Sequence, residues 1–367
     1  MVRREDTSRP TPDPVRAYLE AQIAAGAMPG ACWWVEGPGG VLSRGASGDA
    51  AIVPVREAAD EDTPFDLASL TKPLATALLA VLLEGEGKVD LDARASGLLP
   101  ELRGSAYEAV SLAELAAHRG GFPAWRALYL EAGTLDGFVR AIAATAPEAA
   151  RGTTLYSDLS FVLLGAAIER AAGEALDALF DARIARPLGL RSTAFATASR
   201  RFARAAATEE GNVHERRMAG GAGASHAWRA SIPRGEVHDG NSHALRGVSG
   251  HAGLFGTAAE VAAIAREMLA PRRLPIAGAG RRRLLAPAAG PGTRTFGFTT
   301  AALSGAARGV LPDGAPGHTG FTGTSLWLDP DASRIYVLLT GRVHPAVPSG
   351  DFQAVRREFH RIAAVLA

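Results

Sequence analysis

The sequence predicts an α+β protein in which strands from both chain ends form one antiparallel sheet flanked by helices. Runs of strand type occur near the start of the chain and again after about residue 294, whereas the Ala-rich middle repeats its apolar residues with helical spacing. Residues 1–68 and 294–367 are therefore predicted to form a sheet lobe, and residues 69–293 an inserted, mainly helical lobe. A site is expected between these lobes, within one functional unit.

The individual elements follow from local patterns. Residues 14–26 have the pattern of an amphipathic helix that ends at Gly26, and a Gly-Pro-Gly-Gly turn joins the predicted strands 30–35 and 40–44. Helices of the middle are predicted at 69–83, 111–117, 134–144, 158–172, 174–185 and 257–269. Three further strands and a last helix are predicted at 295–300, 324–328, 335–340 and 351–366.

The stretch 211–256 has little periodicity and many glycines, which predicts an irregular excursion over the surface that helps to shape the cleft. Asp239 and His251 within it are expected at the mouth of the cleft. The histidines of this region match no familiar spacing of metal ligands, so neither a metal nor a cofactor is predicted. These histidines are His214, His226, His238, His243 and His251.

The charge balance bears on the class of partner. The 39 basic and 38 acidic side chains nearly cancel, so no broad positive field is available for nucleic acid or for an anionic membrane surface. No segment approaches the length of uncharged apolar sequence that a membrane span needs. The expected partner is therefore a small molecule or a short peptide.

Cysteine usage and the N-terminus give two further expectations. Cys32, in the apolar run Ala31–Val35, is the single cysteine, which excludes an internal disulfide and predicts a buried side chain. The N-terminal stretch Met1–Pro14 passes from Arg3 and Arg4 into polar residues and proline instead of an unbroken apolar segment. No export signal is recognised there, so a cytoplasmic protein is expected.

The first candidate catalytic residues are Ser69 and Lys72, at the start of the apolar helix 69–83. Positions three apart share one helix face, so the hydroxyl and the ammonium can touch. The N-terminus of a helix also favours negative charge on the hydroxyl oxygen. This pattern is typical of a serine nucleophile whose proton transfer involves a lysine.

The scarcity of lysine supports a chemical role for Lys72. Lys72 and Lys88 are the only lysines in an arginine-rich chain. To accept a proton the Lys72 amine must be neutral part of the time, and burial together with a nearby positive charge is expected to lower its pKa. Arginine could not act in this way, because it is not deprotonated in proteins.

A second candidate motif, Tyr156-Ser157-Asp158, opens the predicted helix 158–172. A tyrosine hydroxyl close to the ammonium of Lys72 is expected to have a lowered pKa and to pass protons between nucleophile and leaving group. Capping of the helix by Ser157 or Asp158 is the alternative function of these side chains, and it does not exclude the first.

A third motif, Gly317–Phe321, precedes the predicted strand 324–328. A substrate chain could pair with the strand edge there, while His318 and Thr319 bind its polar groups and a backbone N–H faces the cleft. The simpler interpretation is a glycine turn before a strand.

Together the three motifs resemble those of the serine β-lactamase and penicillin-binding-protein superfamily, specifically its class C-like branch of β-lactamases, D-Ala-D-Ala carboxypeptidases, D-aminopeptidases and esterases. They occur in the same order and with roughly the spacing of that branch. Three further segments share the resemblance: 87–92, 118–123 and 250–255. The resemblance extends from about residue 15 to the chain end. The resemblance implies a β-lactamase/transpeptidase-like fold.

The resemblance also implies roles. Ser69 would be the nucleophile, Lys72 its proton partner and Tyr156 the general base and acid. The backbone N–H groups of Ser69 and Phe321 would form the oxyanion hole. In an alternative alignment Ser157 is the proton shuttle, but Tyr156 is preferred because its distance from Ser69 along the chain suits the tyrosine-containing branch.

The chain departs from the family pattern at two substrate-binding positions. In His318-Thr319-Gly320-Phe321 the histidine stands where the lactamases usually have lysine, and Asp158 replaces the usual asparagine. An ionised aspartate could not donate a hydrogen bond to a substrate amide. The expected function is a serine hydrolase that acts through an acyl-enzyme on a small ester or a D-amino-acid-containing peptide. A true β-lactamase and a non-catalytic penicillin-binding-like protein are the alternatives.

Overall fold

The structure is a computed structural model that describes residues 13–197, 199–200, 202–231, 234–288 and 293–367. The expectation that an export signal is absent concerns a stretch of which residues 1–12 lie outside the described residues. Within the described ranges the chain forms ten strands and twelve α-helices.

Both chain ends contribute strands to one sheet. In chain order the strands are β1 (Gly30–Gly37), β2 (Gly40–Ala51), β3 (Glu57–Ala58), β4 (Phe65–Asp66), β5 (Ala194–Phe195), β6 (Leu254–Gly256), β7 (Thr299–Thr300), β8 (Pro316–Thr319), β9 (Ser325–Asp329) and β10 (Arg334–Thr340). Seven of them form a sheet in the order β3-β2-β1-β10-β9-β8-β7, and a small second sheet has the order β4-β6-β5. The neighbours are antiparallel, and β1 pairs directly with β10, with Ala31 opposite Thr340. The predicted α+β fold, with an antiparallel sheet from both chain ends, is confirmed.

Helices lie in each segment for which a helix was predicted, with ends shifted by a few residues. They are α1 (Pro14–Ala24), α2 (Leu78–Gly85), α3 (Leu112–Ala116), α4 (Leu135–Ala143), α5 (Asp158–Ala172), α6 (Leu176–Phe180), α7 (Arg186–Leu188), α8 (Val213–Ala219), α9 (Gly240–Ala244), α10 (Ala258–Leu269), α11 (Gly278–Leu285) and α12 (Phe352–Ala364). The division of the chain into two lobes at residues 68/69 and 293/294 stays a prediction.

Parts of the strand prediction were wrong. The strand expected at 295–300 is limited to β7, and the motif Gly317–Phe321 is more than a turn, because β8 contains its first three residues. The strands β4, β5 and β6 were missed, since two or three residues are too few to show a period of two. The stretch 211–256 is also more regular than expected, because it contains α8, α9 and β6.

A helical segment, Ala68–Gly85, lies in the main hydrophobic core. It consists of a 3₁₀ turn (Ala68–Leu70), a π-helical turn (Lys72–Ala77) and α2. By length and hydropathy alone this segment could cross a membrane, but Lys72 and Glu84 limit its uncharged stretch to residues 73–83, which is shorter than a span needs. The segment is 83% buried inside the structure, as the core helix of a folded domain would be.

The large sheet separates two hydrophobic clusters. In β1, Cys32 and Trp34 pack with the larger cluster, which contains the segment Ala68–Gly85. Trp33 and Val35 pack on the opposite face, against α1 and α12. This alternation is that of a strand covered on both faces. The expectation that Cys32 is buried is confirmed.

Gly250 allows the segment before β6 to approach two helices closely. A Cβ atom at Gly250 would overlap the carbonyl oxygen of Phe161 in α5 and would lie 3.0 Å from the Cα of Gly165. The Gly250 carbonyl also accepts a 2.7 Å hydrogen bond from the hydroxyl of Thr76 in the buried helical segment. These contacts fix the position of His251, the next residue along the chain.

The variant Gly250→Ala is expected to lower the free energy of unfolding by about 1–3 kcal/mol, the usual cost of overpacking a core. Gly97→Ala is the matched control, because a Cβ atom at Gly97 meets no heavy atom within 4 Å. This control is expected to change stability by less than about 0.5 kcal/mol. Urea unfolding of the three proteins measures the difference, and equal destabilisation by both variants would contradict the packing explanation.

Candidate active site

Ser69 lies at the start of the buried helical segment, after a strained residue. Ala68 has a φ angle of 46°, a left-handed conformation that is uncommon for a residue with a Cβ atom. The Ala68 N–H donates to Asp66 Oδ1 at 2.8 Å, and the next carbonyl back, that of Leu67, accepts a 3.1 Å hydrogen bond from the Thr324 hydroxyl. These bonds hold the strained backbone and so fix the direction of the Ser69 side chain.

Four side chains form a closed ring of hydrogen bonds around the Ser69 hydroxyl. Its oxygen accepts from Lys72 Nζ at 2.9 Å and lies 2.8 Å from the Tyr156 hydroxyl. Asp158 Oδ1 accepts from the Tyr156 hydroxyl at 3.0 Å and lies 2.7 Å from Lys72 Nζ. The Tyr156 hydroxyl has one hydrogen, which it donates in the hydrogen bond to Asp158. Ser69 is therefore the donor in the hydrogen bond between Ser69 and Tyr156. The structure thus brings the three predicted catalytic residues together and adds Asp158 to them.

The Lys72 ammonium is fully buried, and its three N–H donors all have acceptors. Ser69 and Asp158 take two of them, and the carbonyl oxygen of His251 takes the third at 3.1 Å. Burial lowers the pKa of Lys72, but Asp158 and Tyr156 raise it by more, so it stays above its ordinary value. The expectation of a partly neutral Lys72 was therefore wrong, because its neighbour is a carboxylate instead of a cation.

Asp158 was expected to contact the substrate amide in place of an asparagine. In the structure its Oδ1 instead accepts from Lys72 and Tyr156, and its side chain is 18% exposed. A buried ammonium without a counter-ion is costly, and the Asp158 carboxylate supplies that counter-ion. The aspartate therefore keeps Lys72 cationic.

The phenol of Tyr156 stays protonated. Burial and the Asp158 carboxylate raise its pKa, and the opposing influence of Lys72 and Ser69 is smaller. The expected lowering of this pKa was wrong, since the anion Asp158 lies beside Tyr156 as well as the cation. A protonated phenol can accept a proton from Ser69 while it passes its own to Asp158, so it is suited to relay protons.

Ser157, the alternative proton shuttle, has other partners. Its hydroxyl donates to the Pro123 carbonyl oxygen at 2.6 Å and accepts from the Ser160 N–H at 3.3 Å, as the N-cap of α5. The geometry therefore favours the alignment in which Tyr156 faces Ser69.

His118 supports this arrangement, although sequence reasoning gave it no role beyond the resemblance of segment 118–123. Its Nδ1 accepts the Ser157 N–H at 3.0 Å, and its ring lies 4.7 Å from the Tyr156 ring. Burial, with a smaller influence of Arg294, lowers the pKa of His118 well below its ordinary value. The neutral imidazole is therefore able to accept this hydrogen bond and to pack against the phenol.

Strand β8 carries His318 and Thr319 to the edge of the site. His318 Nδ1 lies 2.9 Å from the Thr319 carbonyl oxygen, so Nδ1 holds the proton and Nε2 is an acceptor. Nε2 is buried and has no hydrogen-bond partner among the described residues. Burial lowers the pKa of His318 well below its ordinary value, and Arg294 adds to this. His318 is therefore neutral and does not supply the charge of the lysine that it replaces.

The turn after β8 lies against the segment that carries the nucleophile. A Cβ atom at Gly320 would lie 2.7 Å from the Leu67 carbonyl oxygen, so glycine is needed here. The Gly320 N–H donates to the Thr324 carbonyl oxygen at 2.8 Å. Neither the Phe321 N–H nor the Ser69 N–H donates to a backbone carbonyl within the described ranges. Both remain available for the oxyanion hole that the resemblance implies.

Three arginines give one cavity beside Ser69 a positive charge. This cationic cavity, of about 450 Å³, is lined by Ser69, Tyr156, His318, Arg294, Arg342 and Arg356, among others. Burial lowers the pKa of Arg294 to about 10 and that of Arg356 to about 9, so both are cationic at neutral pH. Each of the three has a buried nitrogen that bonds to no described residue. Sequence reasoning missed them, because they come from separate segments and stand in no motif.

His251 and Asp239, expected at the mouth of the cleft, form a pair. His251 Nε2 lies 2.9 Å from Asp239 Oδ1, and its Nδ1 lies 2.8 Å from the Ser249 hydroxyl. Both residues line a second cavity, of about 180 Å³, that also reaches Ser69. No group of three or more His, Cys, Asp or Glu residues in the described ranges is arranged to hold a metal ion.

A serine hydroxyl at the start of a helix, hydrogen-bonded to a lysine and a tyrosine, is the arrangement of an enzyme that transfers acyl groups through serine. The sequence profile of the Beta-lactamase family matches residues 15–358. The chain therefore belongs to the beta-lactamase family, and the resemblance drawn from the three motifs is confirmed.

Two curated relatives match most of the chain. The N-acetylmuramyl-L-alanine amidase of Bacillus subtilis (strain 168) is 29% identical over 364 residues, which cover 91% of this chain and 81% of the relative. The protein named "Putative D-alanyl-D-alanine carboxypeptidase" of Escherichia coli (strain K12) is 30% identical over 317 residues, which cover 78% of this chain and 70% of the relative.

Two solved structures share the fold. EstCE1, described as a hydrolase with promiscuous acyltransferase activity, has a TM-score of 0.71 at 23% identity, with 95% of this chain and 97% of that chain covered. A class C beta lactamase from Rhodobacter sphaeroides has a TM-score of 0.69 at 20% identity, with 96% and 99% covered. The protein is a β-lactamase-related serine hydrolase, from a family that acts on small-molecule or peptide substrates.

The variant Asp158→Asn is expected to lower the pKa of Lys72. The amide keeps the shape and one acceptor oxygen, but it removes the negative charge that outweighs burial. The ammonium therefore loses its proton at a lower pH than in the wild type. NMR titration of the two lysine Nζ signals measures this, with the half-exposed Lys88 as internal control. A Lys72 titration that the substitution does not move would contradict the role given to Asp158.

Proposed function

We propose that the protein hydrolyses a short peptide, or an ester that mimics one, through an acyl-enzyme on Ser69. The observation that carries this proposal is the closed ring in which Ser69 donates to Tyr156, Tyr156 donates to Asp158, and Lys72 donates to both Ser69 and Asp158. Such a ring holds the hydroxyl in place and gives its proton a path to leave.

In the proposed acylation step, Ser69 Oγ attacks the substrate carbonyl carbon. The Ser69 proton moves to Tyr156 while the Tyr156 proton moves to Asp158. The bond between the carbonyl carbon and the leaving-group nitrogen or oxygen then breaks, and the proton returns through Tyr156 to the leaving group. Asp158 is then a carboxylate again, and a water molecule repeats the sequence to release the acid.

Two features would stabilise negative charge during these steps. Lys72 is cationic before the attack and donates a hydrogen bond to Ser69 Oγ, which supports the negative charge that develops on that oxygen. The N–H groups of Ser69 and Phe321 would hold the oxyanion of the tetrahedral intermediate. On this mechanism Lys72 is an electrostatic partner, and the phenol and carboxylate move the proton.

The cationic cavity supports a substrate whose leaving group carries a carboxylate. A guanidinium binds a carboxylate through paired, charge-assisted hydrogen bonds, and Arg294, Arg342 and Arg356 each line this cavity. The names of the two curated relatives, an amidase and a carboxypeptidase, support an amide bond as the one that is cleaved. We therefore propose a D-amino-acid-containing peptide with a free C-terminal carboxylate as the substrate class.

Covalent labelling tests the nucleophile. A fluorescent fluorophosphonate is expected to label the wild type at Ser69, because that hydroxyl is the one that the ring activates. Ser69→Ala is expected to remove the label, and mass spectrometry of the labelled peptide locates it. An unlabelled wild type, or an adduct that persists on Ser69→Ala, would overturn the proposed function.

Two neighbouring variants extend this test to the proton shuttle. Tyr156→Phe is expected to slow acylation by p-nitrophenyl acetate about 10²–10⁴-fold, the usual contribution of general acid–base catalysis. Ser157→Ala removes the N-cap of α5 and is expected to cost about 1 kcal/mol of stability while acylation stays nearly as fast. If Ser157→Ala instead slows acylation strongly and Tyr156→Phe does not, the proton shuttle is Ser157.

The variant Arg294→Met is expected to raise KM for a peptide with a free C-terminal carboxylate about 10–100-fold, as the loss of one hydrogen bond to a charged group would. The same peptide with a C-terminal amide is the matched substrate, and its KM should change much less. Arg357→Met, at an exposed position of α12, is the control variant. Steady-state kinetics on both peptides measure the change in KM. An equal increase in KM for the two peptides would exclude binding of the substrate carboxylate at Arg294.

A further inference from the structure

The turn after β8 carries Phe321, whose N–H is one of the two donors of the proposed oxyanion hole. Hydrogen bonds hold the residues on either side of it. The Gly320 carbonyl oxygen accepts from Arg356 Nη2 at 2.6 Å. The Thr322 hydroxyl donates to the Asp66 carbonyl oxygen at 2.7 Å. No hydrogen bond within the described ranges holds Phe321 itself, so its position depends on the packing of its ring.

Two histidine rings pack on the ring of Phe321. The His238 ring is stacked on it, with the ring centroids 5.5 Å apart and an angle of 23° between the planes. The His214 ring lies 4.9 Å from it in a tilted arrangement, and the Arg342 guanidinium lies 5.7 Å from its centroid. Both histidines come from the segment 209–238, so the position of Phe321 depends on a part of the chain that is distant in sequence.

One buried carboxylate holds both histidines. Glu209 Oε1 accepts the His214 N–H at 2.8 Å, and Glu209 Oε2 lies 3.0 Å from His238 Nε2. Glu209 is 2% exposed, and it is not among the described residues that line the two cavities beside Ser69. A carboxylate that does not reach the substrate can influence the reaction only through the residues that it holds.

The surroundings of His238 favour its charged form. Burial lowers the pKa of His238, but the hydrogen bond with Glu209 and the charges of Glu215 and Asp66 raise it by more, so this pKa lies above its ordinary value. The imidazolium then donates a charge-assisted hydrogen bond to the Glu209 carboxylate. It also presents a positive charge to the face of the Phe321 ring, which attracts cations.

His238 is connected to the nucleophile through a second carboxylate. The His238 N–H donates to Asp66 Oδ2 at 2.7 Å. The other oxygen of this carboxylate, Oδ1, accepts the Ala68 N–H at 2.8 Å, directly before Ser69. Asp66 thus ties the backbone at the nucleophile to the histidine whose ring packs on Phe321.

We propose that Glu209 and His238 are positioning residues: their ion pair clamps the Phe321 ring and so holds the Phe321 N–H beside Ser69, where the oxyanion forms. This inference rests on the proposed function. An N–H group is effective in an oxyanion hole when it already lies about 2.7–3.1 Å from the place that the oxyanion will occupy. The clamp would keep this donor in place before the substrate arrives.

Two esters that differ in one atom test this inference. In the thiono analogue of p-nitrophenyl acetate, sulfur replaces the carbonyl oxygen, and sulfur is a weak hydrogen-bond acceptor. The methyl group and the leaving group are the same, so the ratio of kcat/KM for the oxygen ester to kcat/KM for the sulfur ester reports on the oxyanion donors. In the wild type this ratio is expected to exceed that of hydroxide-catalysed hydrolysis at least about tenfold.

Glu209→Gln removes the charge of the clamp with little change of shape. It is expected to lower kcat/KM for the oxygen ester about 10–100-fold, less than the about 10²–10³-fold cost of losing a donor outright. The sulfur ester should be affected much less, so the ratio should fall about tenfold, whereas a general loss of folded protein would leave the ratio unchanged. Glu210→Gln, at the exposed neighbouring position, is the matched control and should keep the wild-type ratio.

Phe321→Ala gives a second measurement without a change in buried charge, at a partly exposed side chain. It removes the ring that the clamp holds, so it is expected to lower the ratio as Glu209→Gln does. Adding Glu209→Gln to Phe321→Ala should then cause no further fall, because the two changes interrupt the same contact. A wild-type ratio in Phe321→Ala, or a second fall of the same size in the double variant, would overturn the inference.

The outcomes separate this inference from the proposed function. If the wild type is neither labelled at Ser69 nor able to hydrolyse p-nitrophenyl acetate, the proposed function fails, and the inference fails with it. If the wild type hydrolyses this ester but its ratio equals that of the hydroxide reaction, only the inference is overturned. The inference is also overturned if Glu209→Gln keeps the wild-type ratio.

Discussion

The buried ion pair between Lys72 and Asp158 is the interaction on which the site depends. An ammonium with no exposed surface is stable only if each of its donors meets an acceptor and a counter-ion lies close. The acceptors come from three separate parts of the chain: Ser69 at the start of the helical segment, Asp158 at the start of α5, and the carbonyl of His251 before β6. The packing of these three elements therefore depends on the charge of the Lys72 side chain.

The ion pair also sets the chemistry of its neighbours. Because Asp158 keeps Lys72 cationic, the lysine donates a hydrogen bond to the nucleophile, and in the proposed mechanism it does not take the proton of Ser69. The same carboxylate accepts from Tyr156, so the phenol is left with an oxygen that can accept from Ser69. Aspartate in place of the family's usual asparagine suggests by itself lost recognition of an amide, but in the proposed mechanism it is the group that receives the proton.

The charges around Ser69 are separated although the chain as a whole is nearly neutral. Arginines from three segments line the cavity beside β8, and carboxyl groups line the cavity beside α8 and α9. Net charge reports only the sum over the chain, whereas a substrate meets the local field. The local field of the arginines is therefore the basis of the proposed carboxylate-bearing substrate.

Local sequence determined the main helices, the longer strands and the identity of the central residues. Helical spacing places Lys72 beside Ser69, and a capped helix start follows Tyr156, because both relations act over a few residues. The tertiary structure alone decided the protonation of Lys72 and Tyr156, since each pKa depends on Asp158 and on burial, which arise when distant segments pack. For the same reason Arg294, which stands in no motif, could be found only in the folded chain. The sequence thus predicted part of the hydrogen-bonded ring at Ser69 and Lys72. The protonation of the groups in this ring was decided by contacts between segments that are far apart along the chain.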